Sequence, residues 1–146
     1  MTVGRKLLLA ISLLSIAGAI VASVSLYHHY GRETSSYCDF GQSFNCDIVN
    51  RSIYSEIAGI PVALVGLVGY LALLGLATIY RTQPETPKLL LAASLGGLGF
   101  ALYLTYVEAF ILDAWCILCL SSLAAISGIA VLSAVLFVRA RRARTG

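Results

Sequence analysis

The chain has 146 residues, of which 59% are hydrophobic and 12% charged, with a formal net charge of +3 and a mean hydropathy of +0.88. A soluble domain carries about 25% charged residues, so this composition excludes a water-soluble globular fold and an intrinsically disordered chain alike. It argues equally against a nucleic-acid binder, because the net charge is small and the basic residues cluster at the termini and in one short linker. A single domain over residues 1–146 is the expectation at this length.

Residues 7–26 are free of charge and follow Arg5 and Lys6. This apolar stretch is longer than the ~7–15 residues used by a cleaved signal peptide, so it reads as a first membrane span. Residues 27–56 then form a long loop, of a length that points to function, and contain Cys38 and Cys46. Within it, Ile48, Val49, Ser52, Ile53, Glu56 and Ile57 repeat with a loose helical period. That predicts a short surface helix over 47–57 with one apolar face. Gly59, Ile60 and Pro61 mark a turn, and Pro61 suits the first turn of the next helix.

Residues 57–80 predict the second span, and Pro84 and Pro87 mark a tight linker. The third span is expected over 89–112, with Glu108 as its single charge, and the fourth over 114–138. At ~1.5 Å rise per residue each segment reaches the ~30 Å of a hydrocarbon core. The fold class is therefore all-α, a four-transmembrane-helix bundle with a long outer loop. Ala93, Gly96, Gly97 and Gly99 line the third span and would permit close helix packing.

Orientation follows from Lys and Arg placement. With both termini cytoplasmic, the inner segments hold Arg5, Lys6, Arg81, Lys88, Arg139, Arg141, Arg142 and Arg144. The outer side keeps only Arg32 and Arg51. The C-terminal basic cluster is read as a topological anchor.

This topology puts all four cysteines at one membrane face: Cys38 and Cys46 in the loop, and Cys116 and Cys119 as a C-I-L-C motif where the fourth span begins. An outer compartment is one where disulfides form and persist. Spacing of i, i+3 at a helix start brings Cys116 and Cys119 to one face about 5–6 Å apart, within a disulfide's reach. The amino end of a helix stabilises a thiolate; Asp113, the expected N-cap, partly opposes that. Two inert disulfides pinning loop and helix are the structural alternative, and a four-cysteine zinc site is a second one. Haem attachment is excluded because Leu120, not His, follows the motif. Two dithiols on one face, one mobile and one fixed at the membrane, make a thiol relay whose natural two-electron acceptor is a lipid-soluble quinone. Glu108 is a candidate for proton transfer to the reduced quinone, since intramembrane acids are functional candidates; snorkelling to the interface is the alternative. His28 and His29 fall in the headgroup layer at the end of the first span.

The run C-D-F-G-Q-S-F-N-C from Cys38 to Cys46, then Val49, Ser52 and Gly59, and the run Y-L-T-Y-V-E-A-F-I-L-D-A-W-C-I-L-C ending at Cys119 resemble the vitamin K epoxide reductase family over nearly the whole chain. The bacterial quinone-linked disulfide oxidase also has four spans and two cysteine pairs, but in the reverse order. The resemblance implies a four-helix bundle around a quinone pocket capped by the loop. It assigns Cys38 to exchange with a thioredoxin-like partner, Cys46 to attack on Cys116, and Cys119 to the quinone.

It also draws Val49, Ser52, Ser55 and Leu123 into the quinone pocket. Animal members carry Tyr at the place of Leu123 and Asn at the place of Ser55, which favours plain quinone reduction here over epoxide reduction. Ubiquinone, menaquinone and vitamin K are the implied acceptors, with no metal. Only eight residues follow the last span, so the thioredoxin-like partner is expected as a separate chain on the outer side. A bacterial or archaeal plasma membrane is the expected location, with the endoplasmic reticulum membrane as the alternative. Outside this family, the rival is a non-enzymatic four-span protein with structural disulfides.

Overall fold

A computed structural model describes residues 2–31 and 52–146. Cys38, Cys46, Val49 and the first part of the expected surface helix lie outside the described residues. Among the described residues four α-helices carry the fold: α1 (Thr2–Tyr30), α2 (Val62–Thr78), α3 (Thr86–Val107) and α4 (Ile117–Thr145). Three stretches, Val3–Tyr30, Thr86–Leu112 and Ile117–Thr145, are long and apolar enough to cross a membrane. Together with the apolar α2 they fit a multi-pass membrane protein. Leu13, Ile20, Val68, Leu95 and Val131 are more than half exposed, as expected of side chains that meet lipid rather than water.

The second helix is shorter than the 24-residue span expected from sequence. Its 17 residues reach about 26 Å at ~1.5 Å per residue. The missing start is taken up by a two-residue antiparallel hairpin, β1 (Glu56–Ile57) and β2 (Ile60–Pro61), with Ile57 opposite Ile60. Its connecting residues Ala58 and Gly59 both have positive φ, 53° and 83°. That is the backbone of a type I′ turn, the connection whose twist suits a tight hairpin. Pro61 then stands at the N-cap of α2, one place before the helical turn in which it was expected.

The described part of the expected surface helix is likewise different. Ile53–Ser55 form a single 3-10 turn, and Glu56 and Ile57 belong to the hairpin. Three residues of helical spacing are too few to outweigh a strong turn signal immediately downstream.

Helix α1 packs against α2 and α4, and α3 packs against α4 and, more loosely, α2. Ile11, Leu73, Leu90, Ile126, Ile129 and Leu136 form the core of the bundle. Gly18 on α1 makes the closest approach. A Cβ there would fall 2.2 Å from Cε1 of Tyr70, so only glycine admits that aromatic ring between α1 and α2.

On α3, Gly97 packs as expected: a Cβ there would meet Ile126 Cδ1 at 3.1 Å. Gly96 and Gly99 have nothing within 4 Å of such a Cβ, so they are not helix-contact residues; Gly96 widens an internal cavity instead. At the far end of the bundle, the Arg144 guanidinium donates to the Pro84 carbonyl at 2.7 Å. The end of α4 and the α2–α3 linker therefore share one end, opposite Cys116.

Candidate active site

The third span does not run smoothly into the fourth. Glu108–Leu112 form a π-helical turn, closed by Asp113 in the left-handed conformation at φ 48° with its N–H bonded to the Glu108 carbonyl. Such turns are rare and recur at functional sites. Asp113 is thus the end of one helix, not the N-cap of the next. Ala114 and Trp115 follow outside any helix, and Cys116 itself is the N-cap of α4, extended at φ −110° and ψ 117°. Its carbonyl accepts the first helical bond, from Leu120 N–H at 3.0 Å. Cys119 falls three residues later, inside the first turn, where free N–H groups of the helix end concentrate.

Glu108 meets the cysteine motif at this corner. The Cys116 N–H donates to Glu108 Oε2 at 3.1 Å. The carboxyl group is 1% exposed, and its other oxygen, Oε1, has no hydrogen-bond partner among the described residues. Of the two expectations for Glu108, snorkelling to the interface does not describe the structure: the side chain is turned inward. Cys116 is fully buried and Cys119 partly exposed. Their side chains lie within hydrogen-bonding contact of each other.

Cys119 and Glu108 open onto a cavity of about 370 Å³ lined from all four helices. Cys116 is not on its wall. Apart from Tyr70, the walls on α2 and α3 are apolar, with small residues such as Ala63, Gly66, Gly69, Gly96 and Ala101 beside larger ones such as Leu73 and Phe100. Such a site suits a flat apolar ring better than a charged or strongly hydrated ligand.

The segment after the loop closes the cysteine end, through Ser52, Tyr54 and Ser55. It is tied to α1 by His29, whose Nε2 stands 3.0 Å from Glu56 Oε1; Nδ1 stands 3.5 Å from Ser55 Oγ. Ser55 also donates to the Ser52 carbonyl at 2.6 Å. Of the pocket residues expected from sequence, Ser52 and Ser55 line the cavity, Leu123 is not among its lining residues, and Val49 is outside the described residues. Among the described residues no group of three or more His, Cys, Asp or Glu side chains could hold a metal.

Tyr70 and Ser122, which both line the cavity, escaped the sequence reading. Tyr70 of α2 reaches across to α4, and its hydroxyl lies 2.8 Å from the Ser122 carbonyl and 2.7 Å from Ser122 Oγ. The available signal was a lone tyrosine inside an apolar span and a serine one turn beyond Cys119.

The sequence model of the Vitamin K epoxide reductase family matches residues 9–134. The chain belongs to this family. The match runs through all four helices and includes the whole of the cysteine corner. Membership brings with it a membrane oxidoreductase activity of the quinone and vitamin K epoxide reductase type, and an association with quinone substrates.

Proposed function

We propose that the chain is a thiol–quinone oxidoreductase that oxidises a separate thioredoxin-like protein and thereby supports disulfide formation in its compartment. The observation that carries this reading is the division of the C-I-L-C motif. Cys119 faces an apolar cavity while Cys116 lies behind it at the helix N-cap, away from the cavity wall. One sulfur can then meet a lipid-soluble ring and the other a loop cysteine.

The electron path has three exchanges. The partner's dithiol reduces the Cys38–Cys46 disulfide and is itself oxidised, with Cys38 as the sulfur attacked. The Cys46 thiolate attacks Cys116 in the Cys116–Cys119 disulfide; that bond breaks and Cys119 leaves as a thiolate. Cys38 then attacks Cys46, closing the loop disulfide and freeing Cys116. Each transfer is an exchange through a mixed disulfide. Finally the Cys116–Cys119 dithiol gives two electrons and two protons to the quinone, which leaves as the hydroquinone while the disulfide re-forms.

The chain's own residues supply the rest. The Glu108 carboxyl, beside Cys119 on the cavity wall, moves a proton between thiol and ring oxygen. Its Oε2 holds the Cys116 backbone in the N-cap position. Ser52 and Ser55 order the closing segment. Both termini lie in the cytoplasm of a bacterial or archaeal cell, and the cysteine end faces outward, where the partner is met.

Dithiothreitol-driven reduction of ubiquinone-1, menaquinone and vitamin K epoxide by the purified protein, followed side by side, tests the reading and ranks the acceptors. Turnover with a quinone is expected. A folded protein that reduces none of them is instead a four-span protein with structural disulfides.

A further inference from the structure

Tyr70 is a buried phenol in an apolar bundle, 5% exposed, and it reaches the opposite helix to bond one residue, Ser122, twice. Gly18 is spent on making room for its ring. Fastening α2 to α4 would account for the bond from the phenol to the Ser122 carbonyl. It does not account for the orientation of the Ser122 hydroxyl.

Five other serines in these helices turn back on their own backbone: Ser12, Ser15, Ser23, Ser121 and Ser127 each donate to the carbonyl four residues earlier. Ser122 sits between two of these on α4, yet its hydroxyl is turned to the Tyr70 oxygen. The Tyr70 hydroxyl donates to the Ser122 carbonyl, and in the contact between the two hydroxyls either oxygen can be the donor.

Both groups are on the cavity wall, and the other lining side chains of α2 and α3 are apolar. Cys119 is one helical turn away on the same face of α4, about 4.5 Å along the axis. That rise is comparable with the span between the two oxygens of a 1,4-quinone ring.

We propose that the Tyr70–Ser122 hydroxyl pair is the specificity-determining site that binds the quinone oxygen remote from Cys119 and so selects 1,4-quinones; the proposal rests on the thiol–quinone reading above. Rotating the Ser122 hydroxyl from Tyr70 to the ligand supplies a donor for a quinone carbonyl. After reduction the same oxygens accept the hydroquinone O–H. A hydroxyl pair serves both oxidation states because each hydroxyl donates and accepts, whereas a fixed donor serves one.

Steady-state reduction of menadione by dithiothreitol, measured on the purified protein and on Tyr70→Phe, Ser122→Ala and Ser122→Thr, tests this. Losing one neutral hydrogen bond to the ligand is expected to raise the menadione KM roughly five- to tenfold in Tyr70→Phe and Ser122→Ala. The kcat and the dithiothreitol KM should stay near wild type, and Ser122→Thr, which keeps the hydroxyl, should restore the menadione KM. The rise in thermal midpoint on adding menadione, which needs no turnover, should shrink in the same two variants.

Wild-type KM and wild-type midpoint rise in both variants would overturn the proposal alone and leave the pair as a fastening between helices. A wild-type protein with neither turnover nor menadione-induced stabilisation would overturn the thiol–quinone reading and the proposal together. Should Tyr70→Phe fail to fold, the contrast between Ser122→Ala and Ser122→Thr decides the matter.

Discussion

Glu108 is assigned two tasks, holding the Cys116 N–H and carrying a proton, and two substitutions separate them. In Glu108→Ala the Cys116 N–H loses its acceptor. Cys116 is fully buried, so no water replaces that acceptor, and an unsatisfied buried donor costs about 1–3 kcal/mol. In Glu108→Gln the amide oxygen can take the place of Oε2, now at 3.1 Å from the N–H. Exchanging a charge-assisted bond for a neutral one forfeits only about 1 kcal/mol. The proton-transfer task is lost in both, because an amide does not titrate, and general acid–base groups contribute typically ~10²–10⁴-fold in rate.

The expected pattern is therefore a near-native thermal midpoint with a kcat for menadione at least about a hundredfold down in Glu108→Gln. Glu108→Ala should show the same kinetic loss and a clearly lowered midpoint. Both are measured on detergent-purified protein, the midpoint by thermal unfolding and the rate by hydroquinone formation. A Glu108→Gln protein with wild-type kcat would refute the proton-carrier role and leave Glu108 as a cap for the cysteine corner.

Other consequences can be checked separately. Cys119→Ser should trap a Cys46–Cys116 disulfide, seen as a crosslink between loop and fourth-span peptides under non-reducing conditions; Cys38 joined to Cys116 would contradict the assigned order. Cys38→Ser should abolish oxidation of a thioredoxin-like protein while sparing turnover with dithiothreitol, read from parallel assays with the two reductants. Gly18→Ala should lower stability by about 1–3 kcal/mol, the usual cost of overpacking, because its Cβ falls on the Tyr70 ring; an unchanged thermal midpoint would show that the ring yields freely. A cysteine placed by Thr145→Cys should resist a membrane-impermeant thiol reagent in intact cells, and its labelling would invert the topology.

The bundle was legible because each apolar run is longer than a soluble helix needs and carries almost no charge. What composition could not show is how the ends are finished. At the start of α2, Ala58 and Gly59 adopt positive φ and convert five residues of expected span into a hairpin. Before α4, the π turn at Glu108–Leu112 and the left-handed Asp113 move the helix start from residue 114 to residue 117. Hydropathy is blind to both, since the windows around them stay largely apolar while the backbone leaves the helix.

The cysteine motif, the inward Glu108 and the closing serines were visible as residue types at particular places. Tyr70 and Ser122 were not, because their meeting depends on α2 and α4 facing each other across a glycine of α1. No spacing within a single helix encodes that contact. Leu123, drawn in by resemblance, stands one residue beyond Ser122 and is not among the residues that line the cavity.

The central claim, that the Cys116–Cys119 dithiol reduces a quinone directly, is tested most directly by a single turnover. A Cys38→Ser/Cys46→Ser protein, reduced and freed of excess reductant, is mixed anaerobically with menadione. The account predicts one hydroquinone per chain, with loss of both remaining thiols as the Cys116–Cys119 disulfide forms. Thiols that persist with no hydroquinone formed, in a protein that retains its fold, would contradict it.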